Sequence, residues 1–235
     1  MNKIIVSGST SGIGRSIAEK LLAENYEVVG LGRDHSKFQS DSRNYHPYVV
    51  DFSDITTLEV NLKKVAQDHP DSLGLICSAG FGRFGELEQF SVSQMQEMMN
   101  VNFLSQAVLA KVFLPGMKKR EEGKVIFIGS EAALSGEKKG SIYCASKFAL
   151  RGFSQSIRKE CANANISVTM INPGFVDTPF FDRLNFQPED PKQHAISPSS
   201  ISDAVLHVLQ AEPHCVFEEI NLQPLRKRVK QKMSS

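Results

Sequence analysis

The chain has 235 residues, 41% of them hydrophobic, enough to bury a substantial core as one domain or at most two. Its 27 Lys and Arg stand against 26 Asp and Glu, and the resulting charge of +1 gives no electrostatic case for nucleic acid or a membrane surface as partner. The apolar run at the N-terminus is too short for a signal-peptide core, and no run approaches the ~18 residues of a membrane span, so a soluble cytoplasmic protein is expected.

Residues 3–7 form a short apolar run, followed by Gly8-Ser9-Thr10-Ser11-Gly12-Ile13-Gly14 and then by Ile17, Ala18, Leu21 and Leu22 at helical spacing. Strand, glycine-rich turn and helix in that order are the context in which such glycines cradle a dinucleotide. Gly8 permits the tight turn, Gly12 lets backbone approach a pyrophosphate, and Gly14 lets helix and strand pack closely. The helix N-terminus adds free N–H groups and a positive dipole end. A second strand is expected over 26–31, ending at Gly32-Arg33-Asp34. An acid at such an end bonds a ribose 2′-hydroxyl, whereas an arginine pairs with a 2′-phosphate. Asp34 falls about twenty residues after Gly14, where the general fingerprint places an NAD acid. Arg33 comes first, however, and Asp34 lies beyond the apolar run, facing solvent or capping the next helix. NADP(H) is therefore favoured over NAD(H).

A third strand ends over 48–51, with Asp51-Phe52 after it, and Ile55, Leu58, Leu62 and Val65 mark a helix behind it. A fourth strand, 73–77, runs into Ser78-Ala79-Gly80. Ser91 with Gln94 resembles a capping box opening a helical stretch that continues toward Lys119. A fifth strand, 124–128, delivers Ser130 at its carboxyl end. A long helix containing Tyr143 follows, then a sixth strand over 166–171 that ends at Asn172-Pro173-Gly174. A helix over 200–210 and a last strand over 216–220 complete the pattern. This alternation predicts a single Rossmann-type domain over 1–225, a doubly wound parallel sheet of about seven strands with helices on both faces. Ligands of such sheets sit beyond the carboxyl ends of the strands, where Gly8, Gly80, Ser130 and Gly174 all fall. Residues 178–198, rich in Phe and Pro, read as a substrate loop, and the basic stretch 226–235 as a flexible tail. The four cysteines, Cys77, Cys144, Cys161 and Cys215, form no C-x-x-C pair and read as reduced thiols, and no cluster of residues has metal-ligand spacing.

Ser141-Ile142-Tyr143-Cys144-Ala145-Ser146-Lys147 carries the chemistry. Tyr143 and Lys147, four apart, share one helix face. A phenol with a pKa near ~10 is almost wholly protonated at neutral pH, and an ammonium beside it, with a cationic nicotinamide nearby, would draw that pKa toward the range of a general acid or base.

Together these residues resemble the short-chain dehydrogenase/reductase family, its single-domain tyrosine-dependent branch, over essentially the whole chain. Ser7-Gly8 through Gly12 and Gly14 is similar to that family's T-G-x-x-x-G-x-G loop, with Ser7 in place of the threonine. The resemblance implies a catalytic set of Ser130, Tyr143, Lys147 and Asn102, the last carrying a water that links Lys147 to bulk solvent. It also implies cofactor contacts from Gly8, Ser9, Thr10, Ser11, Gly12, Ile13, Gly14, Arg33, Asp51, Phe52, Ser78, Ala79, Gly80, Tyr143, Lys147, Pro173, Gly174, Val176 and Thr178. Arg33 matches the basic position of NADP-preferring members. The family's N-N-A-G is replaced by Cys77-Ser78-Ala79-Gly80, which removes both asparagines. The short chain end resembles that of small 3-hydroxy acid and serine dehydrogenases. The implied function is NADP(H)-dependent hydride transfer to or from a small carbonyl or alcohol substrate by a homodimer or homotetramer. Phe81, Phe84, Leu134, Phe175, Phe180 and Phe181 could line an apolar pocket, and Arg83 or Arg183 could pair with a carboxylate. The alternative is an NADP-binding regulatory protein of the same fold without turnover.

Overall fold

The computed structural model describes residues 2–38 and 40–232. Its first strand, β1 (Lys3–Ser7), is buried along its whole length, and the alternation of its side chains decides the architecture. Ile5 enters one apolar layer, Ile4 and Val6 the opposite one. The strands that follow are β2 (Glu27–Gly32), β3 (Tyr45–Val49), β4 (Gly74–Cys77), β5 (Gly123–Ile128), β6 (Ile166–Pro173), β7 (Phe186–Pro188), β8 (Glu219–Leu222) and β9 (Val229–Gln231). In β2, Val29 and Leu31 face one layer and Val28 the other; in β5, Val125 and Phe127 oppose Ile126 and Ile128. Strands apolar on both sides require helices on both sides.

On one face lie α1 (Gly12–Ala23) and α7 (Pro198–Gln210), supplying Ile17, Leu21, Ile201 and Val205. On the other lie α2 (Ile55–Asp68), α4 (Ser105–Arg120) and α5 (Ser141–Cys161), supplying Leu58, Leu62, Leu109, Phe113, Leu150 and Ile157. Each fully buried aliphatic side chain contributes about 1.5–3 kcal/mol, so these two layers dominate the stability of the fold. The seven-stranded sheet is parallel throughout, in the order β3-β2-β1-β4-β5-β6-β8. Strand order reverses between β1 and β4, the point at whose carboxyl ends sheets of this kind bind ligands.

Element boundaries differ from the sequence reading where burial is incomplete. The edge strand β3 ends at Val49, within the expected 48–51, and starts at Tyr45; alternate positions are exposed and Pro47 interrupts the apolar run, as an edge tolerates. The last sheet strand lies at Glu219–Leu222 rather than 216–220. Glu219 enters it because Arg151 and Gln155 of α5 bond its carboxylate, at 2.9 Å each to Oε1. The capping box of Ser91 and Gln94 opens α3 (Val92–Met99) with both reciprocal bonds present. The helix does not run through uniformly, because a π-helical turn at Asn100–Leu104 separates α3 from α4.

The basic chain end departs most from expectation. The sequence suggests a free tail over 226–235, but β9 pairs antiparallel with β7 inside the 178–198 segment, with Phe186 opposite Gln231 and Pro188 opposite Val229. The Lys232 amide donates to the Asn185 carbonyl at 2.7 Å, and its ammonium to the Phe181 carbonyl at 2.5 Å. A short helix, α6 (Pro191–His194), closes the segment, and His194 Nδ1 lies 3.2 Å from the Arg226 carbonyl oxygen. Residues 233–235 of the expected tail lie outside the described residues. Among the described residues no helix is long and apolar enough to cross a membrane, and no three His, Cys, Asp or Glu side chains are grouped to hold a metal ion.

Candidate active site

Three glycines shape one wall of the crevice. Gly8 has φ +69°, and a Cβ there would lie 3.0 Å from Ala79 Cα; Gly12 has φ +52° and lies under the Thr178 methyl. A Cβ at Gly14 would collide with the Gly8 carbonyl oxygen. Helix α1 begins here with no side-chain cap bond from Ser11 and no acid in its first turn. Its leading N–H groups and dipole are thus available to an anion, which fits a pyrophosphate. A cleft of about 610 Å³ opens between the N-terminal ends of α1 and α7, walled in part by Thr10, Ser11, Gly12, Arg15, Lys37 and Thr178. Tyr143 is not among its walls.

The remaining expected cofactor residues divide by orientation. Arg33 is exposed just past β2. Asp34 caps the short turn His35–Lys37, its Oδ1 accepting from the Ser36 amide at 3.0 Å and hydroxyl at 2.6 Å. These bonds hold its carboxyl below the usual range and commit it to the turn. Asp51 is exposed and accepts from the Ser53 amide at 2.9 Å. Phe52 is buried in one apolar layer and the side chain of Ile13 packs against the opposite one, so both can offer a ligand only backbone. Ser9 is fully buried, its side chain turned away from the cleft. Pro173 ends β6, Gly174 bonds the Leu222 carbonyl at 2.7 Å, and Val176 bridges to Ile196.

The missing asparagines have replacements that motif reading does not find. The Ser7 hydroxyl accepts from the Ser78 and Ala79 amides at 2.9 and 3.1 Å. The buried Gln106 amide donates to the Ala79 carbonyl at 3.1 Å. One hydroxyl and one amide from α4 thereby hold the turn at the end of β4. The signal for Ser7 is its place before Gly8; Gln106 belongs to no motif and carries none.

The turn leads directly to the chemistry. A Cβ at Gly80 would lie 3.2 Å from Asn102 Oδ1 and 3.6 Å from Lys147 Nζ. Asn102, fully buried on the π-helical turn, grips the Phe81 peptide from both sides, accepting its N–H and donating to its carbonyl at 3.0 Å each. Its amide also donates to the Ser146 hydroxyl at 3.1 Å, which in turn donates to the Tyr143 carbonyl at 2.7 Å. Ser146 is a second site residue outside the motif reading. Lys147 Nζ donates to the Ile128 carbonyl at 3.2 Å and lies 5.9 Å from the centre of the Tyr143 ring. Ser130 follows β5, its hydroxyl beside that of Tyr143.

Scanned against family models, residues 2–189 match that of the short chain dehydrogenase. The chain belongs to the short-chain dehydrogenase family. An uncharacterised oxidoreductase of Staphylococcus aureus strain N315 is 32% identical over 226 residues, covering 94% of this chain and 96% of its own. Among solved structures, an alcohol dehydrogenase from the archaeon Thermococcus sibiricus, complexed with 5-hydroxy-NADP, superposes with a TM-score of 0.86 at 24% identity, covering 97% of this chain and 98% of that one. The closed form of a serine dehydrogenase complexed with NADP+ gives the same score and identity over 95% of each chain.

The sequence expectation of an acidic phenol invokes Lys147 together with a bound nicotinamide; the chain's own groups act on Tyr143 in opposite directions. Burial pushes Tyr143 up to about 12, with the Ser130 hydroxyl pulling the other way. Burial also pushes the Lys147 ammonium down to about 8. Desolvation outweighs attraction here because Tyr143 is only 7% exposed, walled by Phe84 at 5.1 Å and Phe180 at 6.0 Å between ring centres. Phe175, Phe181 and Phe186 extend that wall. Of the expected carboxylate partners, Arg83 is paired with Glu97 at 3.7 Å and Arg183 is exposed. Leu134 sits half-buried on the turn beyond Ser130.

Proposed function

We propose that the chain is an NADP(H)-dependent oxidoreductase acting between a carbonyl compound and its alcohol, with Tyr143 as the proton donor or acceptor. The observation that carries this reading is spatial continuity. Gly8 packs on Ala79, Gly80 on Lys147, and Lys147 lies under the Tyr143 ring beside Ser130. Consecutive contacts therefore link a dinucleotide cradle to a phenol–hydroxyl pair, which supports one site spanning both. The nicotinamide, when bound, supplies the hydride. The residues of the chain do the rest. The Ser130 and Tyr143 hydroxyls hydrogen-bond the substrate oxygen as negative charge develops on it, and Tyr143 gives it a proton in the reductive direction. Lys147 holds the nicotinamide ribose and places a positive charge behind the phenol. Asn102 fixes the Phe81 peptide and, through Ser146, the first turn of α5.

NADP(H) is favoured over NAD(H) because Arg33 faces outward at the end of β2 while Asp34 is engaged in its own turn. The alcohol and serine dehydrogenases of like fold hold NADP species, which supports the same choice. The aromatic wall around Tyr143 suits an apolar ketone or aldehyde better than a small hydroxy acid, since Arg83 is already paired. Exposed Leu104, at the end of the π-helical turn that leads into α4, and exposed Phe148 of α5 support a homodimer or homotetramer. The test is incubation of pure protein with NADPH and a panel of ketones, aldehydes and 3-oxo acids, followed by loss of NADPH absorbance. Turnover with apolar carbonyls is expected. Tight NADPH binding with no consumption across the panel would favour the regulatory reading instead.

A further inference from the structure

Beneath the glycine-rich loop runs a buried chain of hydrogen bonds that belongs to no motif. Tyr45, at the start of the edge strand β3, is 9% exposed, and its ring crosses Gly30 of β2; a Cβ at Gly30 would collide with the Tyr45 hydroxyl. That hydroxyl lies 3.1 Å from Ser9 Oγ and 3.2 Å from His35 Nδ1, while His35 Nε2 lies 2.9 Å from the Tyr48 carbonyl oxygen. A carbonyl only accepts, so Nε2 carries the hydrogen, and in that tautomer Nδ1 is the acceptor. Tyr45 therefore donates to His35, and Ser9 donates to Tyr45. The two ends of this chain are the two protein segments that face the cofactor. Ser9 lies in the loop between Gly8 and Gly12. His35 opens the turn that follows Arg33, and Phe38, which ends it, packs edge-on against the Tyr45 ring at 5.0 Å. Arg15 of α1 lies 5.4 Å over the Phe38 ring, tying the same turn to the helix.

We propose that Tyr45 is a positioning residue that sets the separation between the glycine-rich loop and the Arg33 turn, and so the preference for a 2′-phosphorylated nucleotide. This rests on the nucleotide-binding reading above. A pyrophosphate on α1 and a 2′-phosphate at Arg33 belong to one molecule, so both contacts form together only if the two segments are held at the right spacing beforehand. Gly30 is the counterpart on β2, since any side chain there would drive the Tyr45 hydroxyl away from Ser9. A nucleotide without the 2′-phosphate makes no ion pair with Arg33 and so depends much less on that spacing.

The test is Tyr45→Phe, which keeps the ring packed on Phe38 and removes only the hydroxyl, with Gly30→Ala as a second route to the same break. Dissociation constants for NADPH and NADH are read from nucleotide fluorescence, with kcat on a substrate from the panel and the thermal midpoint alongside. Tyr45→Phe should weaken NADPH binding about fivefold to tenfold, the scale of one buried hydrogen bond, and NADH binding no more than about twofold. The value of kcat at saturating NADPH should not change. Gly30→Ala should show the same NADPH-selective loss. Adding Ser9→Ala to Tyr45→Phe should weaken NADPH binding little further, because both changes break the same chain. NADPH binding as in wild type, or equal losses for both nucleotides, would overturn the proposal while leaving the function intact. A wild-type protein that bound neither nucleotide would overturn both.

Discussion

Gly8, Gly12 and Gly14 lie where backbone meets backbone or an overlying threonine, and the space left to a ligand is fixed by β1, β4 and α1. The opposite wall of the crevice is built otherwise. Phe84, Phe175, Phe180, Phe181 and Phe186 form a side-chain cluster that meets Tyr143 through Phe84 and Phe180, and three of them lie in the 178–198 segment, where three residues of β7 pair with three of β9. The glycine wall is thus part of the sheet, whereas the aromatic wall is partly a flap fastened by residues 229–231; on the function proposed above these are the nucleotide half and the substrate half. Lys227 adds to the fastening, with its ammonium 2.5 Å from the Glu131 carboxylate and 4.6 Å over the Phe175 ring. On the function proposed above, such a wall would part to admit a substrate to the buried phenol while the glycine wall stays in place.

Tyr143 sits between the two halves, and its loss should leave both standing. Tyr143→Phe removes a single oxygen from the crevice, and turnover should fall about 10³-fold, within the range for a positioned general acid. The NADPH dissociation constant should stay within about twofold of wild type, since the ring and Lys147 remain. Steady-state kinetics with nucleotide titration checks both, and retention of most activity would remove Tyr143 from the chemistry. The next effect should fall on one half only. Lys230→Pro deletes a backbone donor from β9 opposite Gln187. Substrate KM should rise about tenfold, the loss of one or two ladder bonds from the flap, with NADPH affinity unchanged. Equal losses for substrate and cofactor would show that the two halves are mechanically one.

The same contrast explains what the sequence discloses. Strands buried on both faces print continuous apolar runs, and glycines forced by backbone contact cannot be replaced, so β1, the loop 8–14 and the helix of Tyr143 and Lys147 stand out in the chain. Gln106 and Ser146 act through side-chain hydrogen bonds from ordinary helix positions, and no spacing rule marks them. Tyr45 could be sensed only with Gly30, fifteen residues away, because their meeting depends on the register of β2 and β3. The pairing of β7 with β9 is hidden for another reason. Strands of three residues containing Gln and Lys, one side half-exposed and the other wholly so, have neither apolar alternation nor turn signals. The direction of the Tyr143 shift is likewise not in the motif, because it depends on how completely the phenylalanines exclude water.

That exclusion leads to the smallest effect, and it concerns pH. With Tyr143 pushed to about 12, the phenol stays protonated and able to donate throughout the neutral and mildly alkaline range. Lys147, pushed to about 8, is the group that changes charge within it. About nine in ten Lys147 side chains carry the proton at pH 7 and about one in ten at pH 9. If the ammonium supports the developing negative charge, reductive kcat should decline several-fold as pH rises through about 8, while proton supply from Tyr143 is unaffected. Oxidation of the alcohol, which needs the phenol to lose its proton, should not show that decline. Stability moves the other way. Between about 8 and 10.5 the unfolded chain holds the Lys147 proton that the folded chain has released, so folding is favoured more as pH rises across that window. The thermal midpoint of wild type measured against Lys147→Met should therefore climb from pH 8 to pH 10 while reductive turnover falls. A flat pH profile in both measurements would mean that Lys147 is solvated, and that the substrate half does not seal the crevice as its aromatic wall implies.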